Sequence, residues 1–233
     1  MCGISGFISK RRITLEDLTA MNDTMYHRGP NDSGAEIYDA AGGYAVGFAQ
    51  RRLSIMDLSP LGHQPMHAAD KRVSVVFNGE IYNCQGLKKE RSGYPCSSQC
   101  DTEVILAAYE KWGIDCVSRF NGRLAIALYD REAQEVYRGR DRMGKKPLFY
   151  TIIPDGTLVF ASEIKSIFQF PGIPRSMNVL AMDRLLDYGF NLAPDTFLEA
   201  IHQVPPAHTL FANGSGQTSR PYWDIPMHGP ASN

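Results

Sequence analysis

Apolar residues fall mostly in short runs broken by glycine, proline, aspartate and serine, with helical spacing confined to a few stretches. Gly3 to Ser9 is a short apolar run and predicts a strand. Leu15, Leu18, Met21 and Met25 then recur near helical spacing, which predicts a helix over Thr14–Tyr26 with Thr14 as its cap. After Gly29-Pro30 the pattern turns β-rich at Ile37-Tyr38, Tyr44 to Ala49 and Val73 to Phe77. A helix is predicted over Asp101–Trp112, capped by Asp101, with Val104, Leu106, Ala107, Ala108 and Trp112 as its apolar face. Leu124 to Tyr129, Glu135 to Arg138, Leu148 to Ile153 and Leu158 to Ala161 form a second strand-rich block. An amphipathic helix follows over Asn178 to Tyr188. Two strand-rich blocks flanked by helices imply stacked sheets between helical layers.

Beyond that helix, Pro205-Pro206, Asn213-Gly214-Ser215-Gly216 and Pro226 to Asn233 are turn and linker chemistry. The C-terminus therefore reads as a boundary. We expect a domain over 1–205, then a terminal strand and linker over 206–233.

The 233 residues suffice for one large domain with a trailing segment. Lysine plus arginine (24) nearly balance aspartate plus glutamate (25), so no global field recruits nucleic acid or an anionic membrane. No window approaches the roughly 18 uninterrupted apolar residues of a membrane span, and no signal segment opens the chain. Five cysteines, an odd number, fit a reducing compartment, and a cytoplasmic location is expected. Cys96 and Cys100 lack a zinc-knuckle spacing, and no metal is expected.

Cys2 changes the picture if Met1 is removed, because nucleophile and base then share one residue. A free α-amine titrates near ~8 and is partly neutral at cellular pH, so it can take the thiol proton. Four polar clusters could serve such a nucleophile. His27-Arg28-Gly29-Pro30 suits a mobile loop closing over a small charged ligand, or a solvated turn. Arg52-Leu53-Ser54-Ile55 places an arginine at a strand end, where it can fork onto a carboxylate or form a surface ion pair. Asn78-Gly79 offers an amide and a glycine N–H for a developing oxyanion, and is equally the commonest hairpin turn. Glu80 beside it could hold an ammonium. Asp101 could bind a ligand while capping its helix. An arginine and acids suit a zwitterionic amino acid. A nucleophile with oxyanion donors suits its side-chain amide.

The remaining polar residues add no competing centre. His63 and His67 flank Gln64-Pro65-Met66 and read as loop or packing residues. Lys145-Lys146, after Arg140-Asp141-Arg142, reads as a solvated or interface face. No phosphate-binding loop ending in Lys-Ser or Lys-Thr is written in the chain.

Met1-Cys2-Gly3-Ile4, His27-Arg28-Gly29-Pro30, Arg52-Leu53-Ser54-Ile55, Asn78-Gly79-Glu80-Ile81-Tyr82-Asn83 and Asp101-Thr102-Glu103 come in the order found in class II glutamine amidotransferase domains. The chain most resembles the N-terminal glutaminase domain of glutamine-dependent asparagine synthetases. Gly139-Arg140-Asp141-Arg142, Gly144, Lys146-Pro147-Leu148, Phe160 to Lys165 and Tyr222-Trp223-Asp224 extend the likeness over nearly its whole length. Glucosamine-phosphate synthases and phosphoribosylpyrophosphate amidotransferases share the opening and the Asn-Gly pair, but not usually this second half.

The resemblance implies an α+β fold, a four-layer αββα sandwich of N-terminal-nucleophile hydrolase type. It implies that Cys2 attacks glutamine while Asn78 and the Gly79 N–H hold the oxyanion. Arg52 to Met56 (Arg52, Leu53, Ser54, Ile55, Met56), with Asn78, Gly79, Glu80 and Asp101, would bind the substrate. Arg52 would take its carboxylate; Glu80 and Asp101 would lie near its ammonium. An ATP-dependent synthetase domain or subunit is the implied partner, and ATP and Mg belong to that half, with no cofactor in this chain. A homodimer is compatible with the sequence.

Three departures from the family stand out. Asn31 intervenes before Asp32, Cys100 replaces the usual serine, and Arg123 stands where a methionine is common. Other readings stay open: a non-catalytic glutamine-binding or scaffolding module with Cys2 blocked by Met1, a hydrolase of another amide, or an amidotransferase for a sugar or polysaccharide precursor.

Overall fold

In a computed structural model, describing all residues except 56–57, 91–93, 95–97, 99, 215 and 227–233, the chain forms two six-stranded antiparallel sheets. The first strand, β1 (Gly3–Ser9), is buried at every position, because it runs through the middle of its sheet with helices on one side and the other sheet on the other. It pairs with β3 (Tyr44–Arg52), which pairs with β2 (Asp32–Ala40). On its other edge lie β9 (Leu158–Ala161), β8 (Phe149–Ile152) and the short β10 (His202–Gln203).

The second sheet runs from β4 (Met66–His67) through β5 (Val73–Ile81), β6 (Gly122–Asp130) and β7 (Glu135–Arg140) to the hairpin β11 (His208–Asn213) and β12 (Gly216–Pro221). Three apolar clusters hold the layers together. Ile4, Ile8, Phe48, Val76, Ala125 and Phe160 fill the space between the sheets. The outer face of the first sheet packs Phe7, Ala49 and Val159 on Leu18 and Met21 of α1 (Leu15–Asp23). The outer face of the second packs Val75, Phe77 and Ile126 on α2 (Cys84–Glu90) and α3 (Asp101–Trp112). Each large apolar side chain so buried contributes roughly 1.5–3 kcal/mol. The result is the four-layer αββα sandwich.

The elements differ from the sequence pattern in instructive places. Thr14 caps α1 through a reciprocal pair of bonds with Asp17, as its sequence implied, but the helix ends at Asp23. Thr24 Oγ1 turns back onto the Met21 carbonyl at 2.8 Å and the chain tightens into a 3-10 turn at Tyr26–Arg28. Asp101 is the first residue of α3 rather than its cap. That position belongs to Cys100, and the Asp101 carboxylate accepts the Ile81 N–H at 3.1 Å instead.

Asn78-Gly79 is not a turn. Both residues lie inside β5, opposite Ala125 and Leu124, because a Cβ on Gly79 would sit 2.2 Å from the Arg123 carbonyl oxygen and only glycine allows that approach. Segment 206–221 supplies two strands, β11 and β12, where one terminal strand was expected. β11 pairs with β7, and its Leu210 and Ala212 belong to the core between the sheets. Helix α4 (Val179–Tyr188) is capped by Asn178 and buries only Ala181, leaving Val179, Leu180 and Leu186 exposed. Among the described residues no helix is long and apolar enough to cross a membrane.

Candidate active site

Cys2 stands just before β1, at one end of the sandwich, where β3 and β5 also deliver their last residues. Its Sγ lies 3.4 Å from the Leu53 backbone nitrogen, and the residue lines a cleft at the end of the sandwich. Cys2, Arg52, Leu53, Ile55, Asn78, Gly79, Glu80 and Asp101 all line it. Residues far apart in sequence therefore meet because two sheets end together. Ser54 does not line the cleft; its N–H donates to Asn31 Oδ1 at 3.0 Å and ties this loop to the turn after Gly29. Met56, also expected to bind substrate, and Cys96 lie outside the described residues.

Asn78 is fully buried, yet among the described residues neither its Oδ1 nor its Nδ2 has a hydrogen-bond partner. A buried unpaired amide costs on the order of 1–3 kcal/mol, and this one lies in the wall of the cleft that Cys2 also lines. Of its neighbours, Gln64 is bonded at both amide atoms, while Gln50 Oε1 is likewise without a partner among the described residues. Gln64 Oε1 accepts the Phe77 N–H at 2.7 Å while its Nε2 donates to Thr102 Oγ1 at 3.0 Å. Gln50 Nε2 donates to the Phe77 carbonyl at 3.3 Å. Gln50, Gln64 and Thr102 line the cleft without having been expected there, and only their spacing in space, not in sequence, marks them.

The charged residues divide the cleft. Arg52 is buried and donates to the Ser59 carbonyl at 2.9 Å, which fixes its guanidinium at the loop that follows β3. A Cβ on Gly62 would lie 2.0 Å from its Nη2, so this arginine is packed closely as well as bonded. Asp101 is raised above its ordinary range by burial, despite the Ile81 N–H it accepts. Glu80 is held by Arg123 Nη2 at 2.9 Å. Cys100, the replacement for a serine, lines the cleft with its thiol 3.1 Å from Thr102 Oγ1 and pushed up by burial.

His27 and Arg28 are braced in this structure rather than loose. Arg28 Nε donates to the Cys2 carbonyl at 2.8 Å and its Nη1 to Glu163 Oε1 at 2.9 Å, which His27 Nε2 also reaches at 2.9 Å. Gly29 lets the turn pass so close to β3 that a Cβ would sit 2.5 Å from the Arg51 carbonyl carbon. Asp32, one residue later than in the family pattern, pairs with His63 Nδ1 at 2.9 Å.

Lys146 corrects the reading of Lys145-Lys146 as a solvated face. It is buried and lines the cleft. The cause is Asp141, whose buried carboxylate accepts the N–H groups of Leu124, Met143, Lys145 and Lys146 at 2.9–3.2 Å and winds the chain into a tight turn. Burial, then the nearby Arg123, lowers the Lys146 ammonium's pKa. The amine of Met1 is likewise lowered, mainly by burial.

Known proteins share this arrangement of sequence. A family model described as glutamine amidotransferase domain matches residues 1–223. An asparagine synthetase (glutamine-hydrolysing) 3 of Bacillus subtilis is 34% identical over 233 residues, covering 97% of this chain and 37% of that protein. A putative asparagine synthetase (glutamine-hydrolysing) 2 of Methanocaldococcus jannaschii is 34% identical over 250 residues, covering 99% of this chain and 48% of that protein. The chain thus spans less than half the length of these curated relatives. In three dimensions it superposes on the glutamine phosphoribosylpyrophosphate amidotransferase of B. subtilis with a TM-score of 0.68 over 95% of this chain and 49% of the other, at 17% identity, a likeness of fold.

Proposed function

The chain belongs to the glutamine amidotransferase domain family, and from that premise we propose that it hydrolyses L-glutamine to glutamate and ammonia through a thioester on Cys2. The ammonia passes to an ATP-dependent synthetase domain or subunit, with asparagine as the leading product. With Met1 removed, the Cys2 α-amine takes the thiol proton as Sγ attacks the carboxamide carbon. The same proton goes to the departing nitrogen, which leaves as ammonia, and water then releases glutamate from the thioester.

One observation carries this reading: a fully buried Asn78 amide with no partner among the described residues, in the cleft that Cys2 also lines. Asn78 Nδ2 and the Gly79 N–H are the donors for the oxyanion. Arg52 takes the α-carboxylate, and Asp101 with Glu80 the α-ammonium. The nucleotide and its Mg are the partner's concern, since the residues here bind and cleave an amide.

The test is the intact mass of the purified chain before and after 6-diazo-5-oxo-norleucine. Loss of Met1 and a single adduct, absent in Cys2→Ala, are expected. Retained Met1 with no adduct would replace this function with glutamine binding or scaffolding.

A further inference from the structure

We propose that Lys146 is the residue by which the cleft distinguishes anionic product from neutral substrate, its ammonium pairing with the γ-carboxylate of glutamate lying against Cys2. The proposal rests on the glutamine-hydrolysis reading above. Three features of the structure support it.

The first is placement. Lys146 lines the same cleft as Cys2 and Asn78 although it comes from the connection between β7 and β8, and it is 5% exposed. The second is rigidity. Asp141 gathers four backbone N–H groups of the turn and its surroundings, Gly144 supplies a left-handed φ of 62°, and Arg140 Nε donates to the Lys146 carbonyl at 2.8 Å. A side chain on such a base is aimed, not trailing. The third is vacancy of its charge: among the described residues no hydrogen bond or ion pair reaches Lys146 Nζ. The charged and titratable groups that act on it are Arg123, Glu80, Cys2, Arg28 and the chain's amine, and Glu80 is already taken by Arg123.

A buried ammonium without a counter-ion is an unfavourable state that an entering carboxylate relieves. Glutamine, whose γ group is a neutral amide, offers only a dipole. Glutamate, left at the same place when water opens the thioester, offers a full charge. The lysine thus strengthens binding of product more than of substrate.

The experiment is calorimetric titration of L-glutamate and L-glutamine into the full chain carrying Cys2→Ala, which prevents turnover, with Lys146, Lys146→Met or Lys146→Arg. Lys146→Met is expected to weaken glutamate at least tenfold and glutamine less than threefold, and Lys146→Arg to keep the wild-type ratio. A ratio unchanged in Lys146→Met, or lost equally in Lys146→Arg, overturns the proposal. If Lys146→Met fails to fold by thermal melting, Lys146→Gln takes its place, with the same expected loss for glutamate and the same overturning result. Should the Cys2→Ala chain bind neither amino acid, the glutamine reading itself falls, and this inference with it. Binding of both with no dependence on Lys146 would sink the inference and leave that reading standing.

Discussion

Arg123 holds Glu80: its Nη2 donates to Glu80 Oε2 at 2.9 Å on the rim of the cleft. The acid assigned to the substrate ammonium therefore already has a partner, supplied by the residue that departs from the family's methionine. Replacing Arg123 with methionine releases the carboxylate. Since a partly exposed pair of this kind is weak, KM for glutamine is expected to fall about two- to fivefold with kcat little changed. Steady-state kinetics of Arg123→Met check this, and a rise in KM would show that Arg123 itself helps hold the substrate.

Asn78→Leu sets stability against activity. Two buried amide atoms without partners cost the folded state, and leucine keeps the same branched skeleton, though bulkier, with nothing to leave unpaired. The thermal midpoint is expected to hold or rise while kcat drops about 10²–10³-fold, the scale of losing one oxyanion donor. A large fall in the midpoint would mean that the amide is structurally bonded.

Glu163→Gln probes the brace behind Cys2. Burial alone would raise the Glu163 carboxyl, but hydrogen bonds from Arg28, His27 and Lys165 outweigh it and hold the group below the ordinary glutamate range. A depressed folded pKa adds stability that is complete above the unfolded value, ~4.3, and vanishes as pH falls through the folded one. The wild type is therefore expected to be about 1 kcal/mol more stable than Glu163→Gln at pH 7, a gap that closes below pH ~4.3. Thermal melts at both pH values measure it. A gap independent of pH would exclude the charge as its source.

At Asp141, an asparagine turns one acceptor oxygen into a donor facing two N–H groups. Asp141→Asn is expected to cost about 2–4 kcal/mol in urea unfolding, because the carboxylate is buried together with two of its donors, those of Leu124 and Lys146. An unchanged midpoint would show that the turn stands without its carboxylate.

Much of this was legible from residue pattern alone, wherever local sequence and tertiary packing agree. β1 runs from Gly3 to Ser9 and α3 from Asp101 to Trp112 in both readings, because each is apolar on the face or faces it buries. α2 was missed because Cys84 and Leu87 are its only buried side chains, too few to show a period. The sequence reading expects one terminal strand in 206–233 where the chain forms the β11–β12 hairpin, because the Gly-rich stretch between them reads as linker. Asn78-Gly79 carries a turn signature that tertiary packing overrides. Its opposing strand needs a glycine for close approach, and the asparagine follows into the wall of the cleft. Lys146 looked like surface basicity because nothing in Arg140-Asp141-Arg142 announces that the aspartate collects four backbone donors.

The cleft has two owners. Cys2 and Arg52 ride on one sheet, Asn78, Gly79 and Glu80 on the other, and Lys146 on the connection that crosses between them. Reactive geometry is thus a gauge of how the sheets are docked, and an error near 1 Å in such an alignment can cost on the order of 10²-fold in rate. Phe48 and Phe160, which meet edge to face at 5.9 Å deep in the layer between the sheets, touch no reacting atom. Their shapes nevertheless set where Cys2 stands against Asn78 and Gly79, which makes the apolar interior an adjustable part of the cleft.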